Sequence, residues 1–192
     1  MSNIRIAIFA SGSGTNAERL VNYFKDHSKI EVALILSNKA EAYVLNRASR
    51  LGIQSHVFDR KDLYESNNLI QFLTDNDIDA IVLAGFLWLV PKSLIDHFPD
   101  RIINIHPALL PRFGGKGMYG DKVHHAVINN GDWKSGITIH LVNEAYDEGK
   151  ILTQAECKVS STDTPNTLAQ KIHQLEYKHY PIAVDQYLSN LY

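Results

Sequence analysis

Ile4-Arg5-Ile6-Ala7-Ile8-Phe9-Ala10-Ser11-Gly12-Ser13-Gly14-Thr15-Asn16-Ala17 runs from an apolar stretch, through two glycines, into a segment with helical spacing. Ile4–Ala10 reads as a buried strand and Thr15–Asp26 as a helix, with Thr15 and Glu18 in capping-box spacing. Glycines let the backbone approach a ligand, and a helix start presents free N–H groups at a positive dipole end. Gly12, Ser13, Gly14, Thr15 and Asn16 therefore form an anion site, most often one for phosphate. Gly12-x-Gly14-x-x-Ala17 also fits the dinucleotide-binding fingerprint, which requires an acidic residue at the end of the second strand. Leu36-Ser37-Asn38-Lys39 has none, although Lys39 leaves an NADP-like variant open. A tight turn that binds nothing is the plainer alternative.

Working outward, Glu31–Leu36 is a second strand, followed by a helix through about Leu51 that Gly52 ends. Ile53–Phe58 is a third strand, Asp62–Asn76 a helix, and Ala80–Ala84 a fourth strand. Pro91 opens a short helix, and Arg101–Ile105 is a fifth strand. This alternation predicts a Rossmann-like α/β fold, an open, twisted, mostly parallel sheet with helices on both faces. The rhythm changes at the loop Phe113–Gly120, with four glycines in eight residues. Asp121–Asn129 is a helix. Ser135–Asn143 is a strand that sets Ile137, Ile139 and Leu141 against Thr138, His140 and Val142, and Ile151–Val159 is its partner. These two give antiparallel strands near the C-terminus. A long helix from Thr164-Pro165 to about Leu188 follows, with Leu168, Ile172 and Leu175 as its buried stripe and Pro181 expected to kink it. No linker is visible, so a single domain is expected over residues 1–192, with a phosphate-binding half of about 1–100 and a catalytic half of about 101–192.

Composition narrows the function. With 45% hydrophobic and 21% charged residues the balance is that of a globular protein, and the net charge of −2 provides no basic footprint for nucleic acid. Cys157 is the only cysteine, which excludes an internal disulfide and a multi-cysteine zinc site. No apolar run has the length of a membrane span, and Met1–Arg5 lacks the regions of a signal peptide, so a cytoplasmic location is expected.

Three segments fall at carboxyl ends of parallel strands, where ligands of such sheets bind. Ser11–Asn16 follows strand one. Gly85-Phe86-Leu87-Trp88-Leu89-Val90 follows strand four and is apolar enough to wall a pocket for a flat ring, or simply to pack under a helix. Asn104 and His106 end strand five, and positions two apart in an extended segment point the same way. An amide beside an imidazole offers a donor for a developing oxyanion and a group that moves a proton, as acyl or formyl transfer to an amine requires. Asp147 lies in the turn between the last two strands. Folded over the end of strand five, it would pair with His106 and set the protonation of that ring.

Phe9–Asn16, Ser37-Asn38-Lys39-Ala40, Leu83-Ala84-Gly85-Phe86, Asn104-Ile105-His106-Pro107-Ala108-Leu109-Leu110-Pro111 and Tyr146-Asp147-Glu148-Gly149 together resemble the phosphoribosylglycinamide formyltransferases. The segment from Asn104 to Pro111 belongs to the wider formyltransferase superfamily, and the glycine loop with Thr15-Asn16 points to the glycinamide ribonucleotide branch. The resemblance implies direct, metal-free formyl transfer from 10-formyltetrahydrofolate to the glycyl amine of glycinamide ribonucleotide. It assigns catalysis to Asn104, His106 and Asp147 and the substrate phosphate to Gly12–Asn16. Leu87, Trp88, Leu89 and Val90, with Asn104, Asn143, Glu144, Ala145 and Tyr146, would frame the folate, and Arg60 or Lys61 would meet its glutamate tail. Trp88 stands where many relatives carry arginine, and the loop Phe113–Gly120 is longer and richer in glycine than the enterobacterial one. His124 matches a family histidine near the site, and His125 does not. A monomer or weak homodimer is expected, acting on these small molecules without nucleic acid or membrane. Methionyl-tRNA formyltransferase would need a further C-terminal domain and formyltetrahydrofolate hydrolase a further N-terminal one. A nucleotide-sensing module would leave Asn104, His106 and Asp147 without a role.

Overall fold

A computed structural model describes residues 3–192. Among the described residues there are seven strands and seven helices. They are β1 (Ile4–Phe9), α1 (Thr15–Phe24), β2 (Ile30–Ser37), α2 (Tyr43–Leu51), β3 (Gln54–Val57), α3 (Arg60–Tyr64), α4 (Asn68–Asp75), β4 (Ala80–Leu83), α5 (Lys92–His97), β5 (Ile102–His106), α6 (Asp121–Asn129), β6 (Lys134–Leu141), β7 (Ile151–Lys158) and α7 (Pro165–Leu191). The strands form one sheet in the order β3-β2-β1-β4-β5-β6-β7. β1 to β5 pair in parallel, and β6 and β7 are antiparallel additions at one edge. The Rossmann-like, mostly parallel sheet with antiparallel C-terminal strands and a long last helix is thus the observed fold.

Alternation along β1 explains the two layers. Ile4, Ile6 and Ile8 face a core closed by α1, α2, α6 and α7, where Leu20, Val44, Val127 and Ile172 pack. Ala7 and Phe9 face the other core, closed by Leu63, Leu73 and Leu94 of α3, α4 and α5. Burying a side chain such as Phe9 or Ile8 from water is worth roughly 1.5–3 kcal/mol. A strand apolar on both faces is stable only in such a sandwiched position.

Three local expectations are corrected. The helix expected over Asp62–Asn76 is two helices, α3 and α4. Asp59 starts the first one early, its carboxylate accepting from the Asp62 N–H at 2.9 Å while Asp62 returns the bond at 3.1 Å. The polar run Glu65-Ser66-Asn67 then ends it, and Ser66 Oγ accepts from the Asn68 N–H instead of letting the backbone continue. The capping box of Thr15 and Glu18 does not form. Left-handed Gly14 is the N-cap, and the Glu18 carboxylate is taken by Arg47 and Arg50. The unequal faces expected of β6 are both buried, because its polar residues serve the loop after β5. Thr138 Oγ1 donates to the Ala108 carbonyl at 2.7 Å and accepts from the Leu110 N–H at 3.0 Å. At the C-terminus, Thr164 and Thr167 cap α7 reciprocally, and the helix runs unbroken through Pro181.

Tyr180 ties this last helix to the strands beneath the site. Its ring is fully buried, and its hydroxyl lies 2.9 Å from the Leu83 carbonyl and 3.2 Å from that of Ile103, one on β4 and one on β5. Tyr180→Phe keeps the ring but leaves both carbonyls short of a donor. The expected loss is about 1–3 kcal/mol, measured as a lower urea midpoint with an unchanged slope.

Candidate active site

β1 has β2 on one side and β4 on the other, so the connections leaving β1 and β4 diverge above the sheet and open a crevice. A cavity of about 630 Å3 occupies it, walled by the loops after β1, β4 and β5, by the segment from Gly115 to Gly120, and by parts of β6 and α7. That size suits a small organic ligand.

The glycine loop forms one end. Gly14 has φ 74°, and a Cβ there would also run into Val44, so two separate constraints demand glycine. No side chain caps the start of α1, which leaves its N–H groups to a ligand. Ser11 fastens the loop to its neighbours, donating to Asn38 Oδ1 at 2.7 Å and accepting from the Leu87 N–H at 3.0 Å. Asn38, at the position where a dinucleotide site would need its acid, is thus engaged with the loop itself.

At the end of β5, Asn104 and His106 line the same cavity. Register sets Asn104 opposite His140 of β6, and Asn104 Nδ2 donates to His140 Nε2 at 3.0 Å. The other nitrogen of His140 donates to the Leu141 carbonyl at 2.8 Å, which defines its tautomer. His106 is 3% exposed and lies between two acceptors, the Phe113 carbonyl 2.8 Å from Nε2 and Asp147 Oδ2 3.4 Å from Nδ1.

Asp147 reaches this pair from the turn after β6. It adopts φ 59°, unusual for a residue with a Cβ, and its carboxylate accepts from the Gly115 N–H at 3.0 Å. Gly149 lets the turn fold flat, since a Cβ there would strike the Leu141 carbonyl. His140 Nε2 lies 3.7 Å from Asp147 Oδ1, so the carboxylate faces both imidazoles. Burial would raise the Asp147 carboxyl, but the His106 imidazole beside it and the Gly115 amide that donates to it hold it well below the usual carboxylate range.

The third wall is apolar. Leu87, Trp88, Leu89 and Val90 line it, with Ala145 and Tyr146 opposite. Trp88 packs edge-on against Phe58 and Phe86, at centroid distances of 6.3 Å each. Three of the expected folate residues do not line the cavity. The Arg60 guanidinium lies over the Trp88 ring at 5.1 Å and over Tyr64 at 5.2 Å. Glu144 pairs with Lys92 at 3.3 Å, and Asn143 Oδ1 accepts from the Ala145 N–H at 3.1 Å.

Glu176 and His173, which line the cavity, had no reading in the sequence. Glu176 is 6% exposed, and its Oε2 accepts from Asn16 Nδ2 and from His173 Nδ1, both at 3.0 Å. Its spacing of four from Ile172 puts it on the buried face of α7, a signal available but drowned by the apolar stripe. The hydrogen bond to Glu176 raises the His173 pKa against the effect of burial. His124 is buried beside them, and burial followed by the His173 charge lowers its pKa. His125 is exposed. Among the described residues no group of three or more His, Cys, Asp or Glu side chains is placed to hold a metal ion.

The depressed Asp147 pKa has a consequence for acid stability. Contacts of the ionised carboxylate stabilise the fold fully above the ordinary value of about 3.9 and are lost as pH falls through the lower folded value. The stability gap between wild type and Asp147→Asn should be level from about pH 7 to pH 5 and close progressively below about pH 4, as read from urea midpoints.

Comparison with known proteins agrees with this geometry. The formyl transferase family model matches residues 4–184. A chloroplastic phosphoribosylglycinamide formyltransferase of Arabidopsis thaliana is 42% identical over 92% of this chain and 62% of its own length. A cowpea (Vigna unguiculata) counterpart is likewise matched over 60% of its length, so the chain spans about three fifths of these plant relatives. The phosphoribosylglycinamide formyltransferase of Bacillus subtilis is 35% identical over 96% of this chain and 94% of its own. The crystal structure of the Bacillus halodurans phosphoribosylglycinamide formyltransferase superposes with a TM-score of 0.87 at 36% identity, covering 98% of this chain and 97% of that one. Sequence, fold and site geometry thus agree that the chain belongs to the formyl transferase family, within its phosphoribosylglycinamide formyltransferase branch.

Proposed function

We propose that the protein transfers the formyl group of 10-formyltetrahydrofolate to the glycyl amine of glycinamide ribonucleotide, a step of purine biosynthesis. The observation that carries this reading is the arrangement of Asn104, His106, His140 and Asp147 in the same cavity as an uncapped helix start behind two glycines. One end suits a phosphate and the other suits acyl chemistry on an amine. The apolar wall from Leu87 to Val90 fits a flat ring between them, which supports a folate as donor. Bound there, 10-formyltetrahydrofolate supplies an electrophilic formyl carbon. The reading includes a single domain, a cytoplasmic site of action, and a monomer or weak homodimer.

Transfer forms a bond from the substrate nitrogen to the formyl carbon and breaks the bond from that carbon to N10, with one proton passing from amine to N10. Negative charge gathers on the formyl oxygen on the way. Asn104 spends one amide N–H on His140 and keeps the second for that oxygen. His106, facing the carboxylate of Asp147, offers positive charge to the same oxygen. Asp147 holds the ring in place and, as an ionised group beside the cavity, orders the water through which the amine proton passes to N10. The glycine loop and α1 start hold the phosphate, fixing the amine at a constant distance from the catalytic groups.

The direct test is consumption of 10-formyltetrahydrofolate, expected only in the presence of glycinamide ribonucleotide. Turnover with water or with an unrelated amine at the same rate would refute the substrate. Asn104→Ala should lower kcat by ~10²–10³ with the ribonucleotide dissociation constant almost unchanged. Pairing it with Asp147→Asn should lower kcat little beyond the worse single variant, because the groups act as a unit. Tryptophan fluorescence should change on titration with a folate analogue. The change should vanish in Trp88→Phe and persist in Trp133→Phe, whose Trp133 is 70% exposed and does not line the cavity.

A further inference from the structure

We infer that Arg47 is a positioning residue for the phosphate loop, holding the Ser13–Gly14 peptide in the orientation that presents its N–H to an anion. This rests on the reading above, in which that loop binds the ribonucleotide phosphate. Arg47 lies on α2 and is not part of the cavity wall. Its Nε donates to the Ser13 carbonyl at 2.8 Å. Three residues earlier, the Val44 N–H donates to the Gly12 carbonyl at 3.1 Å. Two successive carbonyls of the loop are therefore drawn toward α2.

Peptide planarity converts this into a statement about the donors. In a trans peptide the C=O and the N–H that follows point in opposite directions. With the Gly12 and Ser13 carbonyls turned to α2, the N–H groups of Ser13 and Gly14 turn away from it, on the side where these residues line the cavity. Among the described residues neither N–H meets an acceptor. Gly14 is the residue that lets the preceding peptide flip most easily, since glycine populates positive and negative φ with similar ease. A flipped Ser13–Gly14 peptide would aim a carbonyl oxygen at the anion in place of a donor. The guanidinium selects against that state.

Arg47 is itself held for this task. Its terminal nitrogen pairs with Glu18 of α1, its plane lies over the Tyr43 ring at 5.1 Å, and only 18% of its side chain is exposed. Arg50 pairs with the same Glu18 carboxylate, but it is 56% exposed and has no bond to the loop. Glu18 thus serves as an anchor for Arg47, which accounts for its absence from the helix cap. A lysine has one ammonium and cannot serve the Ser13 carbonyl and Glu18 in the same planar fork.

The pair Arg47 and Arg50 supplies its own control, because both carry the same charge near the loop and only one touches it. Calorimetry with glycinamide ribonucleotide, and with the same nucleoside lacking the phosphate, separates anchoring of the phosphate from general damage. Arg47→Ala should raise KM and Kd for the ribonucleotide about tenfold or more, leave kcat and the folate KM within about twofold, and leave binding of the dephosphorylated compound unchanged. Arg47→Gln, with an amide N–H for the Ser13 carbonyl but no charge, should recover part of the loss, and Arg50→Ala should stay within about twofold of wild type. The inference is overturned if Arg47→Ala leaves ribonucleotide Kd unchanged, if Arg50→Ala weakens binding as much, or if both ligands weaken together. A wild-type protein that binds the ribonucleotide but transfers no formyl group would refute the reading of function, while the Kd comparison would still decide the role of Arg47. Melting temperatures of all variants identify any that fail to fold, in which case Arg47→Gln carries the comparison.

Discussion

Pairing of β1 in parallel with both β2 and β4 is the constraint from which the site follows. Chain leaving the carboxyl end of β1 turns back over β2, whereas chain leaving β4 turns the other way toward β5. Neither connection covers the space between them, and the sheet therefore carries an opening that its own backbone cannot fill. Placing the glycine loop on one side and the apolar segment Leu87–Val90 on the other is a direct consequence. Ser11, bonded to Asn38 and to the Leu87 amide, keeps the two banks at a constant separation.

Polar groups buried beneath that opening are satisfied in a way that makes the site stiff. Thr138 bonds the loop after β5, Tyr180 bonds the end of β4 and the start of β5, and His140 is held by the carbonyl next to it. Each removes a donor or acceptor that would otherwise be stranded away from water, and each also fixes a piece of backbone from which the site is built. Stability and preorganisation come from the same bonds here. The antiparallel strands matter for this reason, because β6 delivers Thr138 and His140 on the face that looks toward β5 and the cavity.

Charge divides the cavity into two unlike ends. Glu176 and His173 lie beside Asn16 at the glycine loop, and Asp147 lies with His106 and His140 at the end of β5. In both places a carboxylate is partnered by imidazole, but the surroundings differ. Asp147 also receives a backbone amide and is held strongly acidic, which keeps it an anion facing the two imidazoles. The hydrogen bond to Glu176 displaces the pKa of His173 upward, which favours a cation near the glycine loop. These opposite biases follow from which group has the more complete set of hydrogen bonds.

Local patterns in the chain were sufficient for the elements, the sheet type, the glycine loop and the shared direction of Asn104 and His106. Each of these depends on residues within a few positions of one another, where side-chain period and backbone preference act directly. The break between α3 and α4 was missed because the capping bonds of Asp59 and the competition from Ser66 outweighed a continuous apolar rhythm. Arg60, which the family resemblance sets near the folate glutamate tail, lies over the Trp88 and Tyr64 rings, a placement that depends on how α3 packs against the segment after β4. His140 and Glu176 could not be placed from sequence. His140 meets Asn104 across 36 residues, and Glu176 meets Asn16 across 160, so each contact depends on strand register or on the docking of a helix. Sequence alone determined where the strands, the glycine loop and the polar strand ends fall, because local period and turn preference are encoded locally. Only the tertiary structure decided which side chains share a cavity, because that is set by how the sheet orders its strands and by where α7 comes to rest.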